Sequence, residues 1–428
     1  MEHCDAAYRP LVAVLFALLV GAAILVTTAL ILTVNGFSRS CCNKASRVFV
    51  ELYKARVVSF TSNGSRTSGG KLRKSNALMS PAMDGSLKTA FIKELKEHGL
   101  SKLGTGKLII DTDAGVDDAV GLFLALGYEA KQLNTDVRII AITCVLGNTE
   151  VNNVATNVLK VLKTANRLDI PVHLGASRSL LATPPVQNFY GRDGLGDFVY
   201  PDPPNPADYL KREHAAVALV RLASQYPKQI TLLCLGPLTN VALAIRLDPH
   251  FIANLKQLVV RGGSTEGTGN VMPGIEFNFY VDPEASFIVF DSVNAADNDI
   301  NPIVLLPWES VVKRNTISMQ WRRKELGSEV SSQFVRFLNL AEREQLNDSN
   351  KIDWHSADAL VTAVTLEPSL VGQVSGCYNA MPEVQGMRAR GSLFVDYNKS
   401  LKNAPCNVVI VEKVDLLRYK RMLLSYLS

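Results

Sequence analysis

The stretch DTDAGVDD, Asp111 to Asp118, places four carboxylates (Asp111, Asp113, Asp117 and Asp118) within eight residues. An apolar run precedes it and an apolar helical pattern follows. Like charges this close repel one another, so a positive partner is expected among them. The simplest partner is a hard cation. Clustered carboxylates with backbone carbonyls suit Ca2+ or Mg2+, whereas Zn2+ favours His and Cys. A divalent ion lowers the pKa of a coordinated water, and a free carboxylate beside it can take the proton. That combination makes a hydrolase. Other readings compete with it. Asp117 and Asp118 also suit the first turn of a helix, where the dipole favours negative charge. A DxDxT aspartyl nucleophile also begins after an apolar strand, but Ala-Gly-Val follows Asp113 and no Thr stands at the required place. A dinucleotide fingerprint is weaker still, because GTGNVMPG lacks a third glycine at the right spacing.

These residues need a scaffold, and the pattern after Lys107 supplies one. Short β-branched apolar runs alternate with longer helical patterns. Strands are expected at Leu108–Asp111, Arg138–Val145, Pro171–Leu174, Ile230–Leu235, Leu258–Arg261 and Ile303–Leu306. Helices are expected at Asp117–Gly127, Thr149–Asn166, Leu238–Leu247 and Pro283–Phe290. Such alternation implies an α/β fold: an open, mostly parallel sheet with helices on both faces and a Rossmann-like core. Ligands bind at the carboxyl ends of the strands in such sheets. Here those ends carry DTDAGVDD, LGN, GPLTN and RGGS, and later come EFNFYVDPEAS and DWHSADALVTAVTLEP. One acidic or amide-bearing strand end is usually a helix cap. Six together are not explained that way.

With these motifs on the page, residues from about Lys107 to Glu367 resemble the inosine-uridine-preferring nucleoside hydrolases, with a weaker tail to Ser428. DTDAGVDDA is similar to that family's Asp-x-Asp-x-Gly-x-Asp-Asp signature. GPLTNVALA, EFNFYVDPEA and an Asp ten residues before the Pro of LEP follow in the same order. The resemblance implies hydrolysis of the N-glycosidic bond of ribonucleosides, with a Ca2+-bound water and an oxocarbenium-like transition state. It implies Asp113 as general base and calcium ligand, with Asp118, the Leu235 carbonyl and Asp358 completing the metal shell. It implies Asp117, Asn148, Asn278 and Asp358 on the ribose hydroxyls, and Asn270 and Glu276 on the 5′-hydroxyl. A place in nucleoside catabolism or purine salvage follows from the same resemblance.

The chain also departs from that pattern. Ala357 stands where a leaving-group His would precede the last Asp, and Tyr190 replaces a second His in FYGRDGLGD. LLPWES lacks the polar pattern many members carry there. Base recognition is therefore expected from Tyr190, Phe189 and Trp354, with His355 as the alternative proton donor; plain packing roles for the aromatics remain open. Stacking favours purine ribosides slightly. A nucleoside-binding sensor of little catalytic power is the alternative function, although such a binder would not need a base at Asp113.

The rest of the chain bounds where this chemistry operates. Leu11 to Val34 is 24 residues without a charge, long enough for a membrane-spanning helix and longer than a signal-peptide apolar region. Residues 1–43 are read as an anchor segment with its helix at about 11–34, 44–104 as a flexible linker, and 105–428 as the hydrolase domain. Net charge is +5, but residues 44–107 hold 13 basic and 4 acidic groups. The basic excess therefore sits in the linker, and a nucleic-acid partner is not expected. Positive-inside counting places the domain in the cytoplasm as a single-pass protein. The acceptors Asn63-Gly-Ser, Asn347-Asp-Ser and Asn398-Lys-Ser argue for the opposite side. The seven cysteines show no metal spacing and suggest no disulfide framework. Expected partners are a ribonucleoside, the membrane and further copies of the chain in a homo-oligomer.

Overall fold

The computed structural model describes residues 100–131, 136–294 and 300–428. The expected anchor at 11–34 and most of the expected linker lie outside them. Among the described residues no helix is long and apolar enough to cross a membrane.

Among the described residues there are thirteen strands, and nine form one sheet. In chain order these nine are β1 (Lys107–Thr112), β2 (Arg138–Cys144), β3 (Val172–Leu174), β4 (Leu210–Lys211), β5 (Ile230–Cys234), β6 (Gln257–Arg261), β7 (Ile303–Leu306), β10 (Val371–Tyr378) and β13 (Val408–Val414). β8 (Ile317–Ser318) pairs with β9 (Asp353–Trp354), and β11 (Ala380–Pro382) pairs with β12 (Leu393–Val395). The large sheet runs β10-β13-β7-β6-β5-β1-β2-β3-β4. Every pairing in it is parallel except that of β10 with β13. The six expected strands are all found, each within a residue of its expected start and end. Sequence reading did not mark the edge pair β10–β13.

The helices cover both faces, which is why the inner strands read as unbroken apolar runs. α1 (Val116–Lys131), α2 (Val151–Thr164), α7 (Gln333–Ala341), α8 (Ala357–Leu366) and α9 (Leu416–Tyr426) share one core. α3 (Ala215–Gln225), α4 (Thr239–Leu247) and α6 (Pro283–Asn294) share the other. The short α5 (Phe277–Val281) leads into α6. β1 divides its side chains by the two-residue period of a strand: Leu108 and Ile110 enter the first core, Ile109 the second. α1 is buried on all sides from Val116 to Tyr128. A helix that is apolar all round needs cover all round, and α8, α9 and the sheet provide it.

Two details extend or correct the sequence reading. Leu100 and Leu103, counted with the linker, are buried in the first core, and Gly104 N donates to Thr365 O. Cys377 and Cys406 form a disulfide with Cα atoms 5.5 Å apart, tying β10 to the segment entering β13. The expectation of no disulfide is thus corrected. A separation of 29 residues carries no signature, and only the antiparallel edge pairing brings the two thiols together.

Candidate active site

Strand order reverses at β1, whose neighbours are β5 on one side and β2 on the other. The crevice at the carboxyl ends beside such a switch point is where open α/β sheets bind ligands. A cavity of about 280 Å³ opens there. Asp113, Asp117, Asn148, Leu235, Asn278 and Asp358 all line it, and none lies on the same loop as all the others.

The turn after β1 holds its carboxylates by local bonding. Ala114 has φ of 37°, a left-handed conformation costing about 1–3 kcal/mol outside glycine. Its N donates to Thr112 Oγ1 at 3.0 Å and its carbonyl accepts from Asn157 Nδ2 at 3.2 Å. Asp118 accepts from Thr112 Oγ1 (2.5 Å), Gly115 N (3.0 Å) and Asn148 Nδ2 (3.3 Å). Asp113 Oδ2 accepts from Asn148 N at 2.8 Å. A side chain at Gly147 would collide with the Asp113 carboxylate, so β2's exit loop must pass as glycine. Asp358 arrives on the first turn of α8 through a close crossing of α1. A Cβ at Gly121 would lie 2.9 Å from Thr362 Oγ1 and 3.2 Å from the Asp358 carbonyl. Asp111, the fourth carboxylate of the opening motif, is instead structural: it accepts from Thr143 Oγ1 (2.5 Å) and Asn240 Nδ2 (2.8 Å), joining β1 to β2 and α4.

The electrostatics identify a cation-shaped deficit. Burial and the charges of Asp117 and Asp118 push the Asp358 carboxyl well above the usual range. Burial and Asp118 do the same to Asp113. Burial and Asp117 raise Asp118 to about 6. Oxygens of Asp117, Asp118 and Asp358 lie within 4.8 Å of one another, and Asp358 Oδ1 is buried without a hydrogen bond. All-oxygen, anionic and buried, this donor set fits a hard divalent cation such as Ca2+. The Leu235 carbonyl accepts from Asn278 Nδ2 at 2.6 Å, and both residues line the same cavity.

The structure does not bring every expected residue to the cavity. Glu276 is fully buried behind the wall, accepting from Gly263 N (3.0 Å), Asn278 N (3.0 Å) and Phe279 N (3.3 Å) and from Arg261. It holds the turn into α5 rather than facing a ligand. Asn270 does line the cavity, with its Oδ1 accepting from Phe277 N at 2.8 Å. Trp354 does not line it: it is 3% exposed and its Nε1 donates to Glu342 at 2.6 Å. It packs in the first core, on the segment that carries Lys351 and His355, which is the packing role left open for it. The tryptophan facing the cavity is Trp308, from LLPWES, with Tyr190 and Phe189 across from it in the lining. Burial and the charge of Asp117 push the Tyr190 hydroxyl well above the usual phenol range. The other missed residues are Arg261, Gln187, Gln345 and Lys351. Arg261 pairs with Glu276 and, at 3.4 Å, with Asp358, and sits 5.7 Å over the Trp308 ring. Burial opposes its charge, but the fields of Glu276, Asp358 and Asp117 outweigh that and raise its pKa. It could have been flagged as a charged residue ending a buried strand. Lys351 gave no signal in a polar loop.

A family profile described as inosine-uridine preferring nucleoside hydrolase matches residues 108–421. A probable uridine nucleosidase 1 of Oryza sativa subsp. japonica is 42% identical over 196 residues, which is 45% of this chain and 57% of that protein. The pyrimidine-specific ribonucleoside hydrolase RihA of Enterobacter sp. (strain 638) is 31% identical over 311 residues, 71% of this chain and 92% of that protein. Among solved structures, an inosine-guanosine nucleoside hydrolase superposes with a TM-score of 0.67 at 30% identity, covering 75% of this chain and 98% of that one. With the profile spanning most of the chain and the metal-type carboxylate cluster at the switch point, the chain belongs to the inosine-uridine preferring nucleoside hydrolase family.

Proposed function

We propose that this protein hydrolyses the N-glycosidic bond of ribonucleosides to ribose and free base, with purine ribosides slightly favoured. The observation that carries the reading is the convergence of Asp113, Asp117, Asn148, Asn278 and Asp358 from four separate segments onto one cavity. Asp113, Asp118, Asp358 and the Leu235 carbonyl would hold Ca2+, which when bound lowers the pKa of water and orients it. Asp113 is placed to accept the proton of the attacking water. Asp117, Asn148 and Asn278 suit the ribose hydroxyls, and their anionic surroundings favour positive charge developing on the sugar. Trp308 and Tyr190 support the purine preference, since a bicyclic base offers more surface to stack. Relatives named for uridine and for pyrimidines make the preference a matter of degree. The test is release of reducing sugar from a panel of purine and pyrimidine ribosides, with and without chelator. No release from any nucleoside would sink the reading and leave the nucleoside-binding alternative. That alternative has one observation of its own, the Arg261 guanidinium in a cavity meant for a cationic transition state; its pairing with Glu276 offsets that charge.

We further infer that the domain works in an oxidising compartment, anchored by the apolar run at 11–34. Disulfides persist there and are rare in the cytosol, and Cys377–Cys406 is one. Asn347 and Asn398, both glycosylation acceptors, are exposed. These observations outweigh the charge count that favoured the cytoplasm.

A further inference from the structure

The departing base needs a proton, and the position that family resemblance assigns to an acid is Ala357. Four titratable residues of the cavity wall are not carboxylates: Tyr190, Arg261, Lys351 and His355. Three are poor donors. Burial, together with the charges of Asp117 and Asp358, pushes the Tyr190 hydroxyl well above the phenol range. Arg261 is held between Glu276 and Asp358, and a guanidinium does not give up its proton. His355 packs edge-on against Trp308 at 5.9 Å. Burial and the Lys351 charge lower its pKa, so at neutral pH it has no second proton to give.

Lys351 differs from all three. Its ammonium donates to Gln345 Oε1 at 2.7 Å, and both residues line the cavity. Among the described residues no carboxylate lies within ion-pair distance of it, so its protons are not tied up in a salt bridge. Its backbone is fixed on both sides: its N bonds to Asp348 O at 3.2 Å, and three residues on Trp354 is locked to Glu342, which also accepts from Arg322 Nε at 2.7 Å. The charged groups around it are Glu342, Asp348 and Asp117, with His355 nearby. Burial draws its pKa below the ordinary lysine value against the pull of those carboxylates. That is the direction a general acid requires, since it eases proton transfer while leaving the group charged.

We propose that Lys351, held by Gln345, is the catalytic acid that protonates the leaving base. The inference rests on the nucleoside hydrolase reading above. As the C1′–N bond breaks, its electron pair passes to the base and a Lys351 Nζ–H proton follows it. Water adds to C1′ and yields its proton to Asp113, and exchange with solvent restores both groups. A pyrimidine has no N7 to protonate by another route, so it depends on Lys351 more than a purine does.

The experiment compares wild type with Lys351→Met on uridine, inosine and 4-nitrophenyl β-ribofuranoside, whose phenolate leaves without a proton. The expected result is a loss of about 10²–10⁴-fold in kcat/KM on uridine, a smaller loss on inosine, and no change on the nitrophenyl riboside. Retention of the last activity also shows that the variant is folded and its ribose site intact. Equal losses on all three substrates, or unchanged uridine hydrolysis, overturn the assignment. His355→Ala is run beside it: a uridine-selective loss there with none in Lys351→Met moves the role to His355. Wild-type protein that cleaves neither the nitrophenyl riboside nor any nucleoside defeats the hydrolase reading itself, and this inference falls with it.

Discussion

At the scale of single residues, the carboxylates divide by what each must do. Asp118 and Asp358 supply oxygens, whereas Asp113 must also accept a proton. Asp113→Asn keeps the shape and can still accept from Asn148 N, but an amide takes no proton at neutral pH. Turnover should fall by about 10²–10⁴-fold with nucleoside affinity largely retained, as measured by single-turnover kinetics beside equilibrium binding. Asp118→Ala and Asp358→Ala should instead abolish the stabilisation by calcium in thermal melts. The same carboxylates set a pH dependence. Without metal, Asp118 holds its proton up to about 6 in the folded chain, whereas the ordinary value is 3.8. Between those values the folded state binds more protons than the unfolded one, so stability from this group falls as pH rises. Calcium requires the ionised form and binds against those protons. The gap in melting temperature between calcium-loaded and chelated protein should therefore widen from pH 4 to pH 7. A gap that is constant or narrows with pH would contradict the metal assignment.

At the scale of elements, placement of Asp358 depends on how closely α8 crosses α1. Gly121→Ala tests this because two effects of opposite sign meet there. Alanine is the better helix former by about 0.8–1.0 kcal/mol. Its Cβ would press on Thr362 and the Asp358 carbonyl in a packed core, and overpacking costs about 1–3 kcal/mol. Net destabilisation is expected, together with weaker calcium binding as α8 is pushed outward. A variant more stable than wild type with unaltered calcium response would show that the crossing has slack. The same comparison explains what was legible in the sequence. β1, β2 and β5–β7 are local apolar runs ending in polar motifs, so the sheet could be read from their order, whereas the place of Asp358 in the carboxylate shell came from the family resemblance. Arg261, Trp308 and Lys351 come from separate segments, and nothing local says they share a wall. The sequence left Trp354 open between a base contact and packing, because a tryptophan next to His355 suits either; its buried bond to Glu342 is what shows the packing role. β13 opens on an apolar run, Val408–Val411, like that of β7, but the antiparallel partner that makes it part of the edge lies beyond a long excursion.

At the scale of the whole molecule, the proposed anchor at 11–34 raises the question of which side of a membrane the domain would occupy, and the two lines of argument conflict. Basic residues after the apolar run would keep it in the cytoplasm. The disulfide and the exposed acceptors point the other way. The proposed oxidising compartment gives more weight to the cystine: orientation signals are read over a few residues near the span, whereas disulfides are rare in a reducing compartment. The bond also matters for stability. Closing a loop of this separation contributes about 3–4 kcal/mol through the unfolded chain. Full-length protein made in a eukaryotic cell should therefore resist thiol alkylation at Cys377 and Cys406 until reduced. It should also lose mass on endoglycosidase treatment, and Asn347→Gln with Asn398→Gln should remove part or all of that shift. Cys377→Ser should lower the melting temperature of the wild type but not of wild type kept reduced. Free thiols at both positions in freshly lysed cells, with no glycan on either asparagine, would return the domain to the cytoplasm.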